Sequence, residues 1–220
     1  MANVRPMRMK SQPVHRARTG IWSWLPLLLG AALALVGLAL WLAARAPQEG
    51  SLAVIFARDM RLHHTQAVDL SMRILERPVS APVRLLAQDI AVTQGAQTGQ
   101  MGGWLDIWKL PFAGREAPMA GMDRAAMGMA TDADVLSLGT LPAPKAETRY
   151  LQLMLQHHRG GVLMARSGVN SGVPQVQTLA RAIAASQTAE ITLIAQMLRE
   201  RGASVPAGLP APGGGMQMGH

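Results

Sequence analysis

The feature that most constrains this chain is that it repeats itself. FARDMRLHHTQAVDLSM, residues 56–72, returns as YLQLMLQHHRGGVLMA, residues 150–165, and each copy carries Met-x-x-His-His. The text downstream repeats as well: LAQDIAVTQGAQ at 86–97 matches LARAIAASQTAE at 179–190 through Ala87/Ala180, Ile90/Ile183, Ala91/Ala184, Gln94/Gln187 and Ala96/Ala189. His63 to His157 is 94 residues and Ala87 to Ala180 is 93, so a whole helical hairpin is duplicated with a loop change of one residue. Two such hairpins pack most simply as a four-helix bundle, in which sites are built from facing helices. No strand-period pattern appears after about residue 46, so the expected class is all-α.

On a helix each residue advances by about 100°. With Met60 at zero, His63, His64 and Ala67 fall within one face about 100° wide, and Met154, His157, His158 and Gly161 do the same. Each helix therefore aims thioether sulfur and imidazole nitrogen in one direction, beside a small residue. Carboxylate bundles hold two metals with Glu-x-x-His motifs. Here methionine replaces the glutamate, and a soft sulfur beside imidazole favours Cu(I) over harder ions. Asp59, one turn from His63, is a candidate acceptor for that ring. A lone histidine on an apolar face is ordinarily a satisfied core residue. Two matched pairs, holding four of the six histidines, would need four sets of partners.

The chain has no cysteine, which removes disulfides and thiolate sites. Its net charge of +8 is uneven: residues 1–45 hold six Lys/Arg and no Asp/Glu, and the remainder is nearly neutral. No basic face is left on the folded part for nucleic acid.

In chain order, residues 1–20 read as a basic cytoplasmic N-terminus. The uncharged run 21–44 is long enough to cross a hydrocarbon core of about 30 Å. Trp22, Trp24 and Trp41 stand near its ends, where amphipathic rings favour the interfaces. It reads as a single transmembrane anchor in contact with the lipid bilayer, the bundle lying on the outer side. A cleaved signal peptide ending at Ala44-Arg45-Ala46 is the alternative, but the apolar run exceeds the usual 7–15 residues.

Residues 51–202 form the bundle domain, with Ser51 and Ser80 as expected N-caps, Thr131 capping a short helix, and Gly202 closing the last. The second helix is expected to weaken at Gly102-Gly103. Between the hairpins, Met119, Met122, Met127 and Met129 lie among Gly, Ala and Pro, so their sulfurs are expected to be accessible. Residues 203–220 read as a disordered tail ending in Met216, Met218 and His220. Both groups are candidate auxiliary copper ligands, as are Asp59 and Met164.

The paired M-x-x-H-H helices, the Q-x-A-[QE] second helices and the Met-Ala-Gly-Met stretch resemble domain of unknown function 305. The resemblance covers about residues 51–202. It implies a ferritin-like four-helix bundle, exported or anchored, with copper binding in some members. It carries over Met60, His63, His64, Met154, His157 and His158 as ligands. Glu147 and Tyr150 stand where the family has Asp and Phe, and Gly161 where it has alanine.

The expected function is extracytoplasmic copper binding and handling, without catalysis. The alternatives are a metal-dependent oxidase of the ferritin-like kind, or a structural bundle whose histidines only hydrogen-bond.

Overall fold

The computed structural model describes residues 24–44 and 46–209, and of residues 42–44 the backbone alone. The basic N-terminus, Trp22, Met216, Met218 and His220 lie outside the described residues. Two compact units divide at Ala46/Pro47. The first contains α1, Leu25–Ala44, whose described side chains are all exposed. Among the described residues, no helix is long and apolar enough to cross a membrane.

The second unit is all-α. Its long helices are α2, Leu52–Leu75, α3, Ala81–Ile107, α5, Ala143–Val169, and α6, Pro174–Glu200; a short α4, Asp132–Thr140, precedes α5. No strand occurs among the described residues. α2 packs on α3, α5 on α6, and the two hairpins meet through α2 and α5. Proline sits in the first turn of α3, α5 and α6, where its fixed φ suits the helix and no N–H is lost.

Thr131 caps α4 with a reciprocal capping box to Asp134. Ser51 and Ser80 precede their helices in extended conformation but make no side-chain cap. Ser80 turns instead to Glu147, which accepts from its N–H and hydroxyl and also pairs with Arg201 at 3.0 Å. α3 does not weaken at its glycine pair. It runs on to Ile107 because Met101 buries just before the pair and Trp104 and Leu105 just beyond it.

The apolar core falls into two clusters. One gathers Ala53, Phe56, Ala57 and Met60 of α2, Met101 and Leu105 of α3, Met164 of α5, and Val176 to Ile183 of α6. The other gathers Ala67, Leu70 and Ile74 of α2, Val83 to Ile90 of α3, Ala146 to Leu155 of α5, and Ile194 to Leu198 of α6. The order of contacts along each helix gives its direction. α2 and α6 run from the first cluster to the second, α3 and α5 the other way, so the 108–142 connection must cross the length of the bundle.

The tail boundary also moves. Ala203 and Val205 pack on the second cluster. Ser204 and Ala207 accept hydrogen bonds from Gln152 and Gln156, and Pro206 accepts from Arg159. The segment after α6 is therefore tied to α5 at least to Ala207.

Candidate metal centre

Between the two clusters lies a polar layer. Each of the four long helices contributes two residues to it: His63 and His64, Gln94 and Gln97, His157 and His158, Gln187 and Glu190. All four imidazoles are fully buried, and Gln94 and Gln187 nearly so. The His63 and His157 rings stack with centroids 3.7 Å apart, tilted by 30°. His64 lies 6.2 Å from His63, and His158 lies 6.3 Å from His157. Ninety-four residues of separation are thus closed to ring contact by the docking of α2 on α5.

The hydrogen bonds of this layer are few. His63 Nε2 meets the Met127 carbonyl at 3.1 Å, and His64 Nε2 meets Gln97 Oε1 at 2.8 Å. His158 Nε2 pairs with a carboxylate oxygen of Glu190. Gln97 and Glu190 occupy equivalent places in the duplication, so the two outer histidines are held alike. The other buried ring nitrogens have no partner: Nδ1 of His63, His64 and His158, and both nitrogens of His157. Gln187 has no partner at either amide atom, nor Gln94 at its oxygen. Buried polar atoms are ordinarily satisfied, and each orphan costs about 1–3 kcal/mol.

Burial holds the His63 and His64 rings at about pKa 3, and His157 well below the ordinary imidazole range. Neighbouring imidazoles push the same way. Those rings are neutral at pH 7, and neutral imidazole is the form that can donate to a metal. Among the described residues, no three His, Asp or Glu side chains already converge as a metal cage. Stacked rings would have to turn to share an ion, and His157 is the one with no hydrogen bond to break.

Met60 and Met154 are both fully buried, one in each apolar cluster, flanking the histidine layer. The two residues therefore stand on opposite sides of the layer, each one helical turn before its histidine pair. Asp59 is not the acceptor for His63. Its Oδ1 accepts the Met119 N–H at 2.7 Å, and burial raises its carboxyl above the usual carboxylate range. His63 is held by the inter-hairpin loop instead.

The methionine loop is the largest departure from expectation. Met119, Met127 and Met129 are buried, with 4%, 4% and 8% exposure, and Met122 is half-buried. Asp59 anchors the loop at Met119, whose φ of 61° is a left-handed turn, and Gln66 brackets its end by bonding both the N–H and the carbonyl of Ala130. Gly160 admits it: a Cβ there would lie 1.7 Å from the Met127 carbonyl oxygen. Gly161 faces α6, where a Cβ would meet the Gln187 amide oxygen at 2.1 Å. Met164 joins the first cluster with Met60, and Met72 is exposed.

The sequence model for domain of unknown function DUF305 matches residues 53–198, which takes in both histidine pairs and all eight residues of the layer. The chain belongs to the DUF305 family. A DUF305 protein of Streptomyces coelicolor is 48% identical, with a TM-score of 0.66 over 71% of this chain and 96% of its own. A DUF305 fragment from Deinococcus radiodurans is 37% identical, with a TM-score of 0.63 over 70% and 99%. CopM in its Cu(I)-bound form is 25% identical, with a TM-score of 0.55 over 68% and 96%. None of the curated proteins matches the chain.

Gln97, Glu190, Gln94 and Gln187 were not among the residues singled out as site candidates. The signal was present in the Q-x-A-[QE] repeats. Residues three apart share a helix face, and on each second helix that face is turned toward the histidines opposite.

Proposed function

We propose that this DUF305 protein binds and handles copper outside the cytoplasm, anchored by the 21–44 segment, with Cu(I) held between its hairpins. Met60, His63, His64, Met154, His157 and His158 would supply the ligands. The observation that carries the reading is the set of five unpartnered nitrogens on four buried, closely packed imidazoles. A soft cation supplies a partner to the lone pairs among these nitrogens, and the thioethers of Met60 and Met154 bias the choice toward Cu(I). Glu190 is the one carboxylate in the layer, which is too few for a dinuclear oxidase of the carboxylate type. The likeness to CopM, solved in Cu(I)- and Cu(II)-bound forms, supports copper as the metal.

The long 108–142 crossing between the hairpins is consistent with the ferritin-like connectivity. The relative in Streptomyces coelicolor, described as a candidate secreted protein, supports an extracytoplasmic place. The anchor rests on the uncharged 21–44 run and its basic flank. It predicts that the protein stays with membranes through carbonate extraction, whereas a soluble form beginning near Pro47 would point to cleavage.

A competition titration of the full chain against a Cu(I) chelator tests the site. Replacing Met60 and Met154 together by Leu should weaken Cu(I) and leave Zn(II) nearly unchanged, while His63→Gln with His157→Gln should weaken both. Equal Cu(I) hold in the methionine variant would make those residues core filler. No stoichiometric copper in the parent would end the reading.

A further inference from the structure

The hydrogen bonds of the layer carry more than a site location. The Met127 carbonyl can only accept, and so can an ionised carboxylate or the Oε1 atom of a glutamine. Each of these acceptors engages Nε2 of a histidine: Met127 with His63, Gln97 with His64, Glu190 with His158. A proton of each ring therefore sits on Nε2, and in the neutral His63 and His64 rings the lone pair then sits on Nδ1, the nitrogen left without a partner. The three rings are thus turned alike, each with Nδ1 unmasked.

The duplication is broken at one point of charge. Gln97 is neutral, and Glu190, its counterpart, is a carboxylate. A carboxylate behind an imidazole raises the donor strength of the far nitrogen and fixes its ring. We propose that Gln97 and Glu190 are positioning residues that fix His64 and His158 as Nε2–H tautomers, and that Glu190 makes the second hairpin the half that favours the more highly charged copper ion. The inference rests on the copper reading for its second half only. Attraction between an anion and a cation scales with the cation's charge, so the asymmetry acts on Cu(II) more than on a monocation. Losing such a partner typically costs 10–100-fold in metal affinity.

The test uses the full chain in detergent micelles, with histidine labelled in both ring nitrogens. In the metal-free protein, nitrogen NMR should show His63, His64 and His158 protonated on Nε2 alone. Glu190→Gln keeps an acceptor at the same place, so it should keep that tautomer and the fold. It should nevertheless lose Cu(II) by about tenfold or more, and Ag(I), a redox-inert monocation, by only about threefold, since halving the charge halves the logarithm. Gln97→Glu should shift Cu(II) in the opposite sense. Protonation of His64 or His158 on Nδ1, or on both nitrogens at pH 7, would overturn the tautomer assignment. Equal Cu(II) hold by Glu190→Gln and the parent would overturn the charge asymmetry. A parent that binds neither ion, with tautomers as assigned, would instead remove the copper reading and leave the positioning roles standing.

Discussion

The two ends of the bundle come from the same duplicated sequence and are built from different atoms. The end that holds Phe56 packs seven methionines together: Met60, Met101, Met119, Met127, Met129 and Met164 buried, and Met122 against them. The end that holds Tyr150, the counterpart of Phe56, has among the described residues only Met154 and Met197 amid aliphatic side chains. It is tied by polar contacts instead, Tyr150 to the Ser71 hydroxyl at 2.9 Å and Glu147 to Ser80 and Arg201. Thioether cores are adaptable because methionine has several soft torsions. Hydrogen-bonded cores are specified by geometry. The duplication has therefore diverged into one compliant end and one braced end, with the histidine layer between them.

The largest expected effect concerns the layer itself. His63, His64 and His157 have folded pKa values pushed below the ordinary 6.5 by burial. The unfolded chain then binds more protons than the folded one below about pH 6.5, so stability is present above that value and falls as pH drops toward 3. Where all three rings contribute, the slope approaches about 4 kcal/mol per pH unit. Glu147, held low despite its partial burial by Ser80 and Arg201, adds a loss in the same direction below about 4.5. Asp59, raised by burial, opposes it. Urea unfolding of the metal-free protein at pH 7, 6, 5 and 4 should show steep loss, and a flat profile would mean the layer is hydrated in solution. An unperturbed imidazole would fail as a metal donor below about pH 6. These rings should stay neutral until the fold gives way.

Next comes the lid of the compliant end. Gly160→Ala drives a methyl into the Met127 backbone and should cost about 3 kcal/mol, with new protease cleavage within 115–130. Gly161→Ala meets only the end of the Gln187 side chain. Its strain is offset by a helix-propensity gain of up to about 1 kcal/mol. Equal losses in the two variants would mean that the loop is not seated on α5.

A smaller effect probes the braced end. Tyr150→Phe removes the partner of Ser71 and should cost about 1 kcal/mol, read from the urea midpoint. No change would show that Ser71 finds another acceptor. The smallest stability effects distinguish the methionines. Met164→Leu and Met197→Leu should each cost under about 1.5 kcal/mol, but only the first, beside Met60, should weaken Cu(I) in a chelator competition. Equal binding losses would erase the distinction between the ends.

The helices and the histidine faces were legible because periodicity and duplication are local signals. His63 and His157 are 94 residues apart, yet the repeat alone implies that they face each other. The loop was not legible in the same way. Its Gly, Ala, Pro and Met carry no period, and what seats it is Asp59, sixty residues before Met119, and the missing Cβ of Gly160. Asp59 looked like a partner for His63 because the two share a helix face. The loop backbone, which no residue pattern reports, took both positions.

The orphan nitrogens of the layer have one further consequence, for turnover. Without metal they subtract from the stability of the middle of the bundle, and local opening, which exposes chain to proteases, begins where stability is low. On the copper reading, an ion at 100 times its dissociation constant would add about 2.7 kcal/mol to the folded state. The lifetime of the chain would then follow copper supply, starved molecules being degraded and loaded ones persisting.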